Sequence, residues 1–217
     1  MKYLKIKCKP IDELLGSGFE SDSISEIYGA AGSGKTNVCL QASRECASSG
    51  KKVAYIGTGG ISTERLRQIC GGHDLKKVLS NILFYNPSSF EEQEKMIQDA
   101  LKTKDIGLIV LDTFNSYYCL MLEEDPTFAN RSLNRQITDL QMAAVEKNLI
   151  VIISGQVYST ENDDVKPFAG KGIERMIKTI MKLEKTKDGN RQATIIKHKS
   201  QPLGKKTFFK ITSKGLE

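Results

Sequence analysis

Apolar stretches alternate with amphipathic stretches along most of the chain. Apolar runs, some alternating with period two, predict strands at residues 23–28, 52–56, 82–85, 107–112 and 149–154. Apolar residues at helical spacing predict helices at residues 36–42, 62–69, 89–103 and 130–147. Strands and helices that alternate in this way indicate a mostly parallel sheet with helices on its faces.

The pattern changes after the last of these strands. Residues 157–172 are polar and contain Asp, Asn, Pro and Gly, which predicts a loop. Residues 175–184 and 191–198 alternate with period two, and a Lys-Asp-Gly-Asn turn between them predicts a hairpin. Residues 206–211 are expected to close the sheet. The predicted fold class is therefore α/β, with a mostly parallel central sheet and an antiparallel C-terminal edge, and residues 1–217 are expected to form one domain.

One segment matches in full the phosphate-binding loop pattern G-x-x-x-x-G-K-[ST]. Its residues are Gly29, Ala30, Ala31, Gly32, Ser33, Gly34, Lys35 and Thr36. The glycines let backbone N–H groups approach phosphate oxygens, and the helix that follows directs its positive end at the anion. Lys35 supplies a charge for the β- and γ-phosphates, and the Thr36 hydroxyl can ligate Mg²⁺. The segment predicts ATP and Mg²⁺ as cofactors.

Two polar residues follow neighbouring predicted strands. Asp112 ends the apolar run 107–112, and Gln156 comes just after the run 149–154. Ligands of open α/β sheets gather at the carboxyl edge of the strands, so both residues are candidates for the nucleotide site. Asp112 is the expected partner of the Mg²⁺ shell, and Gln156 is the expected contact of the γ-phosphate. An ordinary polar loop residue remains the alternative for Gln156.

Cysteine usage and hydropathy indicate in which cellular compartment the protein is expected. The chain has five cysteines, an odd number, and no two are spaced C-x-x-C, which favours reduced thiols in a cytoplasmic protein. Cys70 and His73 lack a second pair of ligands, so a metal site is not expected there. No apolar run approaches the ~18 residues of a membrane span, and no membrane partner is expected.

Positive charge is concentrated in the C-terminal part of the chain. The net charge is +6, while residues 171–217 contain 13 Lys/Arg and 4 Asp/Glu, a net of +9. The first 170 residues therefore carry −3. A basic segment of this kind suits a polyanion such as nucleic acid, and it equally suits a solvated surface.

The order and spacing of several segments resemble the RecA-type recombinases, and most closely their archaeal paralogues. The similar segments are residues 10–20, 24–29, 34–41, 63–66, 154–158 and 197–206. The last of them, Lys197-His198-Lys199-Ser200-Gln201-Pro202-Leu203-Gly204-Lys205-Lys206, resembles a K-H-R-S-x-P-x-G-K stretch typical of those paralogues.

The resemblance implies a RecA-like P-loop ATPase core that acts in homologous recombination and DNA repair. It implies catalytic roles for Lys35 and Gln156, and a place for Arg65 in the nucleotide site. It also implies partnership with DNA, with the main recombinase RadA and with a Holliday-junction resolvase, and an assembly such as a homodimer. The family's N-terminal helical DNA-binding domain is not expected, because the core begins close to residue 1.

One departure from the family bears on catalysis. Where the family reads Y-I-D-T-E-G, this chain reads Tyr-Ile-Gly-Thr-Gly-Gly at residues 55–60. The family's Glu activates the attacking water, and its position is occupied by Gly59. Loss of such a group costs about 10²–10⁴ in rate. We therefore expect ATP binding with weak or negligible hydrolysis.

The family's two DNA-facing loops correspond here to residues 115–130 and 157–172. Both are acidic, which disfavours a recombinase-type DNA groove. The better DNA-binding candidates are Lys197, His198, Lys199, Lys205 and Lys206.

The sequence thus predicts an ATP-binding accessory protein of recombination that binds DNA without strong strand exchange. Three alternatives stay open. They are an active DNA-dependent ATPase or strand-exchange enzyme, a small-molecule P-loop kinase, and a nucleotide-gated scaffold whose basic region contacts an acidic protein. No arginine-rich lid is evident to support the kinase.

Overall fold

The computed structural model describes residues 2–60, 62–71, 74–157 and 171–217. In these residues the strands are β1 (Tyr3–Leu4), β2 (Phe19–Glu20), β3 (Ser23–Gly29), β4 (Lys52–Gly57), β5 (Ile82–Tyr85), β6 (Ile106–Asp112), β7 (Ile150–Gln156), β8 (Ile177–Lys185), β9 (Arg191–Lys197), β10 (Lys206–Phe209), β11 (Ile211–Thr212) and β12 (Gly215–Leu216). The helices are α1 (Lys9–Leu14), α2 (Lys35–Ser48), α3 (Thr63–Ile69), α4 (Leu75–Ser80), α5 (Phe90–Leu101), α6 (Ser116–Glu124), α7 (Pro126–Lys147) and α8 (Lys171–Met176).

Eight of the described strands form the main sheet, in the order β10-β9-β8-β3-β7-β6-β4-β5. Neighbouring strands from β8 to β5 are parallel, whereas β9 is antiparallel to β8 and to β10. The α/β class and the antiparallel C-terminal edge predicted from the sequence are confirmed.

Each face of the sheet packs against its own hydrophobic cluster. Val38 and Leu40 of α2 belong to the cluster on one face, and Ile137 and Leu140 of α7 belong to the cluster on the other. Central strands covered on both sides read as continuous apolar runs, which is why β7 contains four consecutive branched aliphatic residues. Within the described part of the chain, no helix is both long and apolar enough to span a bilayer.

Side-chain caps determine where several helices begin. The Ser62 and Ser89 side chains accept hydrogen bonds from backbone N–H groups of α3 and α5, as their sequence positions predict. α7 begins at Pro126, earlier than the predicted residue 130. Asp125 caps this helix and Pro126 suits its first position, so the helix starts one turn sooner.

Three further expectations are corrected by the structure. The expected loop 115–130 is mostly helical, because α6 and the first turn of α7 occupy it. The strand predicted from residue 175 begins only at Ile177, after α8. The main-sheet strand predicted over 206–211 ends at Phe209, because Lys210 exchanges two backbone hydrogen bonds with Glu217 and the chain turns into the β11–β12 hairpin. Most of the predicted loop 157–172 lies outside the described residues.

Candidate nucleotide site

The carboxyl ends of four parallel strands meet at one edge of the sheet. Gly29 of β3 is level with Gln156 of β7, and Ser154 of β7 is level with Asp112 of β6. Asp112 is in turn level with Gly57 of β4. The structure therefore brings the phosphate-binding loop, the candidate metal ligand and the candidate γ-phosphate contact together.

Local backbone geometry explains why two loop positions are glycine. A Cβ atom at Gly29 would lie 2.1 Å from the backbone oxygen of Leu183, which is closer than real atoms approach. Gly34 precedes α2 with φ of 110°, a left-handed conformation that L side chains rarely adopt. The buried Ser33 hydroxyl has no hydrogen-bond partner within the described residues, so the loop retains a polar atom suited to a phosphate oxygen.

Lys35 begins α2 and is buried against the loop. Its Nζ donates to the backbone oxygens of Gly29, at 2.7 Å, and of Ala30, at 3.1 Å. Burial lowers the pKa of Lys35, and the nearby Asp112 carboxylate opposes this shift. No side chain of the described residues caps the start of α2, and Thr36 is exposed beside it. The helix therefore presents backbone N–H groups, an ammonium and a hydroxyl to an anion and its metal.

Two neighbouring strands orient the Asp112 carboxylate. The Tyr55 hydroxyl of β4 donates to Oδ2 at 2.7 Å, and the Ser154 hydroxyl of β7 donates to Oδ1. Burial, and then the charge of Asp112, raise the pKa of Tyr55 well above its ordinary value, so the phenol remains a donor. A carboxylate held in this way is suited to a fixed place in a Mg²⁺ shell.

Hydrogen bonds from Thr58 join the segment after β4 to β6. Thr58 directly precedes position 59, where the RecA-type recombinases have a glutamate. The Thr58 backbone N–H donates to the Asp112 backbone oxygen at 3.0 Å, and the Thr58 hydroxyl donates to the Thr113 backbone oxygen at 2.9 Å. Gly59 follows directly, and a Cβ built there would meet no atom of the described residues within 4 Å. The space beside the site is open where an acidic side chain is missing.

Gln156 and Arg65 are each held by the side chain of an asparagine. The exposed Gln156 has its backbone N–H and oxygen paired with the side-chain amide of buried Asn115, at 3.1 and 2.9 Å. Arg65 of α3 donates from Nε to Asn37 Oδ1 of α2 at 2.6 Å. Arg65 therefore lies beside the first turn of α2.

Sequence reasoning missed four residues that support the site. Tyr55 and Ser154 hold Asp112, Asn115 holds Gln156, and Arg191 Nε donates to the Gly32 backbone oxygen at 3.0 Å. Each of these contacts joins residues that lie far apart along the chain. No local pattern signals them.

The candidate DNA-binding residues are partly engaged inside the protein. Lys197 Nζ donates to the Glu174 backbone oxygen at 2.5 Å, and Lys199 pairs with Glu20 at 2.8 Å. Lys205 Nζ donates to the Glu13 backbone oxygen at 3.0 Å.

His198 and Lys206 complete this candidate set. His198 Nδ1 accepts backbone hydrogen bonds from Ser200 and Gln201, and burial lowers the pKa of the imidazole. Lys206 is exposed and forms no ion pair within the described residues. The structure brings the five candidates into one region, in which Lys206 has the most freely available charge.

A phosphate-binding loop follows the parallel strand β3 and precedes a helix, and Asp112 ends β6, which β7 separates from β3. This arrangement defines a RecA-like P-loop protein. The chain belongs to the Rad51 family, whose family model it matches over residues 2–217.

Several curated relatives and one solved structure are similar to this chain. DNA repair and recombination protein RadB of Methanococcoides burtonii is 42% identical over 220 residues, which cover 99% of this chain and 97% of that protein. The protein of the same description from Thermoplasma acidophilum is 36% identical over 211 residues, with 95% and 90% covered. A crystal structure of the RadB recombinase superposes with a TM-score of 0.87 at 34% identity, covering 98% of each chain.

Proposed function

We propose that this chain is an ATP-binding accessory protein of homologous recombination and DNA repair, which binds DNA and hydrolyses ATP weakly. Its membership of the Rad51 family supports a role in recombination. Near full-length similarity to proteins described as DNA repair and recombination protein RadB supports the same role.

ATP and Mg²⁺ fit the residues that are present. Among the described residues the Ser33 hydroxyl has no partner and the start of α2 has no side-chain cap, and these groups suit a triphosphate together with the Lys35 ammonium. Thr36 and the oriented Asp112 carboxylate would hold Mg²⁺, which supplies charge neutralisation between the phosphates. Gln156 would contact the γ-phosphate from the end of β7.

The observation that carries the proposal of weak hydrolysis is Gly59. The binding groups are present, whereas the position of the family's water-activating acid has no side chain at all. ATP then acts mainly as a conformational ligand, which favours one state and so changes affinity for DNA or a partner protein. The proposed protein partners are the recombinase RadA and a Holliday-junction resolvase, and the proposed assembly is a homodimer.

The test is a paired measurement of ATP binding and ATP turnover, with and without single-stranded DNA. Wild-type protein should bind ATP with Mg²⁺ and turn it over slowly in both conditions. The Gly59→Glu variant should raise turnover by about 10²-fold or more, because it restores a general base where no described atom obstructs it. The matched control is Gly59→Gln, which has the same shape without a basic carboxylate and should stay at the wild-type rate.

Two results would contradict this proposal. Turnover at recombinase-like speed in the wild type would favour the active strand-exchange enzyme. An absence of ATP binding with Mg²⁺ supplied would remove the nucleotide role.

DNA binding itself should weaken steeply as salt increases, because Lys/Arg contacts to phosphates release counterions.

A further inference from the structure

An exposed aromatic ring lies on the last strand of the main sheet. Phe208 is 59% exposed on β10, whereas its neighbour Phe209 is 2% exposed and belongs to the hydrophobic core. Alternate residues of a strand point to opposite faces, so Phe208 lies on the face opposite to Phe209. A phenyl ring exposed to solvent at this position does not contribute to the hydrophobic core.

Charged residues lie near Phe208 along the chain and on the same face of the sheet. Lys206 precedes it by two residues on the same face of β10, and exposed Lys210 follows it by two residues. Neither lysine forms an ion pair within the part of the chain that the structure describes. On the same sheet face, β8 contributes Lys182 and Glu184, which neutralise each other at 2.8 Å. Lys210 lies beyond the end of β10, directly opposite Glu217, with which it exchanges two backbone hydrogen bonds. Lys206 is therefore the available cation on the same face of β10 as the ring.

We propose that Phe208 and Lys206 form a stacking site for single-stranded nucleic acid. The proposal rests on the DNA-binding role proposed above and specifies the class of ligand. An aromatic side chain stacks on the face of a base, and the adjacent lysine contacts a backbone phosphate. The bases of a duplex have their faces covered by neighbouring pairs, so the Phe208 ring selects unpaired bases.

The chain contains no tryptophan, which permits a direct test of stacking. The Phe208→Trp variant places a single indole at the proposed site, and a thymidine oligonucleotide should quench its emission. An oligonucleotide of equal length and charge that lacks bases should bind with little quenching. The matched control is Phe84→Trp, because Phe84 is 43% exposed on β5 at the other edge of the sheet. Its emission should not respond to either oligonucleotide.

Binding measurements with other variants provide a second readout. Phe208→Ala should weaken binding of the thymidine oligonucleotide by about 5- to 150-fold and leave binding of the base-free oligonucleotide unchanged. Lys206→Gln should weaken both and reduce the slope of log affinity against log salt by about 1. Because Phe208 and Lys206 are exposed, these substitutions should leave the melting temperature unchanged.

Four outcomes would overturn the stacking site. In the first, Phe208→Ala binds the thymidine oligonucleotide with wild-type affinity and bases do not quench the indole emission of Phe208→Trp. This result would leave the DNA-binding role intact and reject this location. Indole emission that changes with protein concentration alone would assign the face to contact between copies of the chain. Equal quenching by polyglutamate would assign it to an acidic protein. A wild type that binds no single-stranded DNA would reject both the site and the role on which it rests.

Discussion

The buried carboxyl of Glu26 leads to a quantitative prediction about stability and pH. Glu26 lies in β3 with 0% of its surface exposed, and neither carboxyl oxygen has a hydrogen-bond partner within the described residues. Burial, and then repulsion from Glu174 of α8, raise the pKa of Glu26 from its ordinary 4.5 to about 7. Lys197, on the neighbouring part of the sheet, directs its Nζ to the Glu174 backbone oxygen instead.

Proton linkage determines whether the stability rises or falls with pH. The folded state holds the proton of Glu26 up to about pH 7, whereas the unfolded chain releases it near pH 4.5. Stabilisation by the neutral carboxyl is therefore complete below pH 4.5 and is lost as the pH rises to about 7. A tenfold change in proton affinity is worth about 1.4 kcal/mol, so the loss amounts to ~3 kcal/mol.

The assay is urea unfolding of wild type and Glu26→Gln at a series of pH values from about 5 to about 8. The free energy of unfolding of the wild type should fall relative to the variant by about 2–3 kcal/mol over this range, because a glutamine does not ionise. The difference between the two profiles cancels the titration of every other group. Parallel profiles would refute the reasoning, since they would mean that Glu26 ionises equally in both states.

A control variant separates the two causes that raise the pKa of Glu26. Glu174→Gln removes the repulsion and keeps the burial of Glu26. Its stability should still fall with pH, with a midpoint lower than that of the wild type, because burial is the larger cause.

Three other substitutions test the nucleotide site. Gly29→Ala should destabilise the fold by about 1–3 kcal/mol, because the new Cβ overlaps the Leu183 backbone oxygen, and an unchanged melting temperature would contradict this. Tyr55→Phe should raise the Mg²⁺ concentration that half-saturates nucleotide binding about 10-fold, because Asp112 loses a hydrogen bond that orients it, while binding without Mg²⁺ should not change. Arg191→Ala should weaken ATP binding by releasing the Gly32 backbone oxygen, as a titration with a fluorescent ATP analogue would show, and equal affinities would mean that the loop needs no brace.

The local sequence pattern was sufficient to predict much of the fold. The strands around residues 52–56 and 82–85 and the caps at Ser62 and Ser89 follow from apolar periodicity and from hydroxyl side chains at helix starts. The resemblance is misleading in residues 115–130. It implies a loop there, yet α6 fills most of the segment and packs beside α7.

By itself, the sequence determined the phosphate-binding loop and the carboxylate at the end of β6. These features depend on residue type within a few positions of one another, so neighbours along the chain are sufficient to define them. The missing acid at Gly59 is instead an implication of the resemblance to the RecA-type recombinases. Only the tertiary structure decided that Tyr55 and Ser154 hold Asp112, that Glu26 is buried without a partner among the described residues, and that Phe208 faces water while Phe209 faces the core. Strand order and the covering of each sheet face set those environments, and both arise from contacts between distant segments that no local pattern encodes.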